Sequence, residues 1–175
     1  MQQTQQAIIM NLAEAQDIQI SEHPIDAMEK LAATYEWPSE RGTEDDMNIC
    51  VSGKYCDLHM AISWRSDLGG LHLACVLDTK VPTAKRNDVC DLIAQINEQL
   101  WLGHFDIWSG DGAVLFRNTL MVSGEGLSET QCEGLLNHAV TTCEQFFPAF
   151  QYLIWAGHDA QRALEVCMFE TKGDA

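Results

Sequence analysis

From Met47 onward the apolar residues of this chain fall on every second position, and on either side of that stretch they return every third or fourth. Met47, Ile49 and Val51 alternate with Asn48, Cys50 and Ser52, and Leu58, Met60, Ile62 and Trp64 alternate with Asp57, His59, Ala61 and Ser63. A period of two places each set on its own side of a strand, so one side meets a core and the other stays polar. Ser52-Gly53-Lys54-Tyr55, between the two runs, predicts a tight hairpin turn with Gly53 at positive φ. Asp67-Leu68-Gly69-Gly70 turns the chain again into a third strand, Leu71 to Leu77. The result is an antiparallel meander whose apolar face needs a cover.

Segments of helical period supply it. Pro24 in a first helical position, with Asp26 and Glu29 in the first turn, opens a helix whose Ile25, Met28, Ala32 and Tyr35 share a face and which stops before Trp37-Pro38. A polar connector, 39–46, leads into the meander. After Pro82, Val89, Leu92, Ile93, Ile96 and Leu100 make a second stripe, ended at Gly103. His104 to Trp108 and Ala113 to Val122 read as a hairpin closed at Ser109-Gly110-Asp111-Gly112. Ser128-Glu129-Thr130-Gln131 is a capping box for a third helix, striped with Cys132, Leu135, Leu136, Ala139, Val140, Cys143, Phe146 and Phe147 and broken or kinked at Pro148. A short amphipathic turn around Phe150, Leu153 and Ile154 follows, then a last helix capped by Asp159 with Ala160, Ala163, Leu164, Cys167 and Met168 inward. The expected fold class is α+β: an antiparallel five-stranded sheet with helices packed on one face, in the order α-βββ-α-ββ-α-α. Residues 1–22, Gln-rich with scattered Ile8, Ile9, Leu12 and Ile18, read as a weakly structured N-terminal arm, and 23–175 as one domain.

Charge and missing motifs exclude most chemistries. Ten Lys plus Arg against 26 Asp plus Glu leave a net charge of −16, which repels phosphate backbones and anionic lipid, so no nucleic-acid or membrane partner is expected. No apolar run approaches the roughly 18 residues of a membrane span. Seven cysteines with no C-x-x-C pair argue against a disulfide framework and a zinc ribbon. The first basic residue is Lys30, too late for a secretory n-region, so a cytoplasmic chain with reduced thiols is expected. Cys132 and Cys143 return to one helix face and read as core thiols, whereas Cys90 lies close to Lys85 and Arg86. No H-E-x-x-H, G-x-S-x-G, Walker loop or G-x-G-x-x-G occurs, so no catalytic and no cofactor-binding residue is assigned. The alternative is a metal-dependent sensor or enzyme using Asp57, His59, His72, His104 and Asp106 on the sheet face away from the helices. Alternate positions on neighbouring strands share a surface without converging, so a polar face with Asp and Arg pairing across strands is preferred and no metal is expected.

Particular residues then resemble a known family. Pro24-Ile25-Asp26 with Glu29 and Trp37, Cys56-Asp57-Leu58-His59 through Ser63-Trp64-Arg65, and Leu71-His72-Leu73-Ala74-Cys75 carry the likeness. So does, above all, Ile96-Asn97-Glu98-Gln99-Leu100-Trp101-Leu102-Gly103-His104-Phe105-Asp106-Ile107-Trp108. Phe116-Arg117, Pro148-Ala149-Phe150-Gln151, Ile154-Trp155-Ala156-Gly157 and Phe169-Glu170-Thr171-Lys172-Gly173 extend it. The pattern resembles the YbjN family of bacterial sensory transduction regulators, in its alphaproteobacterial branch. The resemblance implies a type III secretion chaperone-like fold, a small acidic domain that pairs as a homodimer, and no catalytic or cofactor residues. Seven cysteines set the chain apart from broader members of that family.

A protein-binding surface is the remaining expectation. Trp37 and Trp64 are in step with apolar rows; Trp101, Trp108 and Trp155 are out of step and so are interface candidates. The fifth expected strand carries Leu115 and Met121 beside Arg117 and Thr119 on its second face, which asks for a cover: a second protomer, a client or the arm. Trp101, His104, Asp106, Trp108, Leu115, Arg117 and Met121 are therefore the candidate site of a non-enzymatic adaptor that binds a protein client.

Overall fold

The computed structural model describes residues 22–122 and 127–170, the side chains of 168–170 excepted. Its elements are α1 (Pro24–Thr34), β1 (Ser39–Arg41), β2 (Asp46–Ser52), β3 (Asp57–Arg65), β4 (Gly70–Lys80), α2 (Arg86–Gln99), β5 (His104–Ile107), β6 (Ala113–Met121), α3 (Glu129–Trp155) and α4 (Ala160–Glu170). The strands form one antiparallel sheet in the order β1-β2-β3-β4-β6-β5, with α1, α2 and α3 on one face. This is the expected α+β architecture.

Alternation decides which side is covered. Met47, Ile49, Leu58, Met60, Ile62, Leu71, Leu73, Phe105, Val114 and Phe116 are all buried beneath the helices. Phe105 stands at the centre, its ring 5.2 Å from Phe116, 5.3 Å from Phe150 and 5.9 Å from Phe146 between centroids. The α3 cap is as read: the Gln131 N–H donates to the Ser128 hydroxyl at 3.2 Å and the Ser128 N–H to the Gln131 side chain at 3.0 Å. Asp159 accepts from the Arg162 N–H at 2.8 Å at the start of α4. Cys132 and Cys143 are core; burial pushes the Cys132 thiol up to about 11, and a hydrogen bond with Cys75, then burial, pushes that of Cys143 up. Met168, expected inward, lies outside the described side chains.

Four expectations are corrected. The sheet has six strands, because Ser39–Arg41, read as connector, pairs with β2. Three polar residues carry no alternation; the strand forms because the edge of β2 offers donors and acceptors, the Cys50 N–H donating to the Pro38 carbonyl at 2.8 Å, and because Arg41 is tied to Asp26 at 2.5 Å and Glu29 at 3.0 Å on α1. The β2–β3 turn spans 53–56, and Gly53 is not at positive φ. Glycine is needed there for close approach, since a Cβ would lie 2.8 Å from the Cys56 carbonyl oxygen. Helix α3 runs unbroken through Pro148, since Ala149, Phe150 and Leu153 beyond it are fully buried and that packing outweighs a proline cost of about 3 kcal/mol. Tyr35, expected on the inner face of α1, caps its end instead and stacks half-exposed on Trp37, centroids 4.8 Å apart, with its hydroxyl donating to Glu133.

The edge strand β5 is closed by a side chain. Asn97 on α2 accepts from the Phe105 N–H at 2.8 Å and donates to the Phe105 carbonyl at 3.1 Å, as a neighbouring strand would. Such a plug blunts an edge that could otherwise template strand addition.

Candidate functional site

The face of the sheet away from the helices is a trough floored by small side chains. Pairing puts Ala61 opposite Ala74, Ala74 opposite Arg117, and Val76 opposite Leu115. One cavity of about 430 Å³ is bounded by Ser63, His72, Ala74, Trp108, Leu115 and Arg117. A second, of about 450 Å³, runs on toward β1 past Asn48, Cys50 and His59, and the two share Ala61 and Val76. Alanines at cross-strand positions leave room where larger alternating residues would fill it.

Trp108 forms one wall, and the turn after β5 holds it there. The Trp108 N–H donates to the Ala113 carbonyl at 2.8 Å, and the Gly112 N–H donates back to the Trp108 carbonyl at 2.9 Å. Gly112 sits at φ +80° and Lys80 pairs with Asp111 at 2.8 Å, which fastens the turn to the end of β4. Gly110 has no Cβ for a different reason: one there would come within 2.7 Å of the Trp108 Nε1. The indole is thus packed against backbone on one side, yet 51% exposed. The Arg117 guanidinium lies 5.7 Å from its ring, within cation–π range.

Arg117 is the only cation among the trough-lining residues. It stands opposite His104 in the β5–β6 ladder and pairs with Asp106 at 3.8 Å, a long contact that leaves its buried Nε without a hydrogen-bond partner among the described residues. His72, half-buried on β4, is held below the usual imidazole range, first by burial and then by Arg117 and His104. A neutral imidazole, a guanidinium and an indole therefore meet beside Leu115, which is only 5% exposed although it points away from the helices. These groups offer donors, an aromatic face and apolar area.

Of the seven sequence candidates, Trp108, Leu115 and Arg117 line the trough, with His104 and Asp106 flanking Arg117. Trp101 and Met121 do not line it. Trp101, 98% exposed, precedes β5 and Met121, 66% exposed, ends β6, so both lie past the His104–Arg117 pair at the other end of the ladder from Trp108. Sequence reasoning passed over Ala61, Ser63, Ala74 and Val76; their signal was the run of small residues on the polar side of two adjacent strands, meaningful only once the register is known. No histidine is the cross-strand partner of another: His59 is opposite Cys50 and Val76, His72 opposite Ser63 and Thr119, and His104 opposite Arg117. Among the described residues no group of three or more His, Cys, Asp or Glu is gathered as for a metal.

Residues 24–152 match the model of the YbjN family, described as "Putative bacterial sensory transduction regulator". The chain belongs to the YbjN family. A likeness of fold extends to the crystal structure of YbjN from E. coli, described as "a putative transcription regulator", at a TM-score of 0.50 and 9% identity, covering 83% of this chain and 93% of that one. At that identity the likeness concerns the fold alone. No curated protein matches the chain. The matched residues include both the trough and the Asn97 plug. No helix among the described residues is long and apolar enough to cross a membrane.

Proposed function

We propose that this YbjN-family chain is a non-enzymatic, chaperone-like adaptor of the cytoplasm that holds a segment of a client protein in the trough of its sheet. One observation carries the reading: a half-exposed tryptophan is fixed in place by its turn, beside an arginine and an apolar floor, on a face that no element of the described chain covers. Aromatic and Arg anchors in desolvated settings dominate interface energetics. The Asn97 plug favours face docking over strand addition at β5.

A homodimer belongs to the same proposal, and the end of the β5–β6 ladder is the surface left for it. Leu68, Trp101, Leu102 and Met121 are exposed apolar residues there or in the adjoining turns. The client reading is tested with a photoreactive residue in place of Ala74, irradiated in native lysate. A defined protein adduct is expected, lost on Trp108→Ala and kept on Trp101→Ala. Adducts that ignore Trp108, or none at all, overturn the reading.

A further inference from the structure

Helix α3 presses one side on the sheet, and its other side ends in an aromatic surface. Tyr55, on the β2–β3 turn, stacks on Phe147 with centroids 5.6 Å apart and planes 17° from parallel. Together with Pro148, Gln151, Tyr152 and Trp155 they line a groove of about 350 Å³. Trp155 is 76% exposed, and Tyr152 leans on the His158 ring at 5.9 Å. The groove is held from both sides. Glu144 accepts the Lys54 N–H at 2.6 Å, fixing the turn that carries Tyr55, while the Gln151 side chain donates to the Thr79 hydroxyl at 2.7 Å.

We propose that this groove is a docking site for a proline-rich, arginine- or lysine-bearing segment of a partner protein. Charge selects the basic residues. Glu144 borders a crevice with Tyr55, Cys56 and Phe147 at one end of the groove. Pro148, lacking an N–H, leaves the Glu144 carbonyl without its helical partner, one more acceptor at that end. The surface already shows the chemistry once: the Lys54 ammonium lies 5.3 Å from the centre of the Tyr55 ring.

Hydrogen bonding selects the proline-rich backbone. Tyr55, Tyr152 and Trp155 each end in an O–H or N–H donor. A polyproline II segment has no internal hydrogen bonds, so its carbonyls are available to such donors, while its rings pack between aromatic side chains. A helical ligand has spent its carbonyls internally and gains nothing from these donors. The site lies on the helix side of the sheet, separate from the trough and independent of the client reading.

The test titrates the full chain with a short synthetic peptide of proline pairs separated by single arginines, read by calorimetry and by the Trp155 indole resonance. Two comparison peptides carry glutamate for arginine, or glycine for proline at unchanged charge. The arginine–proline peptide should bind and shift the Trp155 signal, and both comparison peptides should bind about tenfold more weakly or worse. Trp155→Ala should cost a similar factor, and Tyr152→Phe, which removes only the hydroxyl, a smaller one, while Trp108→Ala leaves binding unchanged. Equal binding of the glycine peptide would reduce the effect to bulk attraction by a chain of charge −16. That result, retention of binding in Trp155→Ala, or no binding at millimolar peptide overturns the proposal.

Discussion

On the helix side of β4, Leu71, Leu73, Cys75 and Leu77 are buried without a gap, whereas His72, Ala74 and Val76 on the other side of the same strand stay partly open. The covered side is filled with large aliphatic and aromatic groups supplied by five strands and three helices. The open side is floored by alanines, valine and serine and walled by Trp108 and Arg117. Side chains on the first face are chosen for volume, and those on the second leave volume free. Among the described residues no element covers this side of the sheet, and that is the ground of the client proposal.

The sharpest way to break this contrast is to make matched deletions on the two faces. Phe116→Ala, on the covered side and in contact with Phe105, should cost about 3–5 kcal/mol in denaturant unfolding. A loss below about 1 kcal/mol would mean the core collapses around the gap and the two faces differ less than they look. Next in size is the edge between them. Asn97→Ala leaves the Phe105 N–H and carbonyl unpaired and should cost about 1–3 kcal/mol, with faster amide exchange at Phe105. Unchanged exchange would show that β5 does not depend on its plug.

On the open side, Trp108→Ala should shift unfolding by no more than about 1 kcal/mol while weakening the client by more than that. A large stability loss would make Trp108 part of the core and dissolve the contrast. Trp101→Ala and Met121→Ser should turn a dimer seen by light scattering at roughly micromolar concentration into monomer without changing unfolding. The smallest effect concerns His72. Burial, Arg117 and His104 keep its folded-state pKa below the ordinary 6.5, so below that pH the unfolded chain takes up a proton the native state refuses. Stability should therefore fall as pH drops through about 6.5, down to the folded pKa, and His72→Gln should flatten that part of a urea-midpoint profile. The carboxylates on this side of the sheet include Asp106, paired with Arg117, Asp111, which lines the same cavity, and Asp46, opposite Ser63.

Much of the architecture was legible. Met47 to Ile62 announced its strands by strict alternation, Val89 to Ile96 its helix by spacing, and Ser128 with Gln131 the start of α3, because each signal arises within a few residues of chain. Trp101, Trp108 and Trp155 stood out of step with every apolar row, and all three are exposed. β1 escaped notice since Ser39, Glu40 and Arg41 have no pattern of their own, and Pro148 misled because a local rule was overruled by the burial of Phe150 and Leu153.

By itself the sequence determined the order of every element but β1, the side of each strand that faces the core, the net charge of −16, and membership of the YbjN family. Only the tertiary structure decided that Ala61 lies opposite Ala74 and Ala74 opposite Arg117, that Asn97 closes the β5 edge, and that Tyr55 stacks on Phe147 and lines one groove with Trp155, 92 and 100 residues further along the chain. Periodicity is a property of neighbouring residues and can be read locally. Register, edge closure and grooves arise from packing between segments far apart in the chain, and no local pattern encodes which distant side chain arrives.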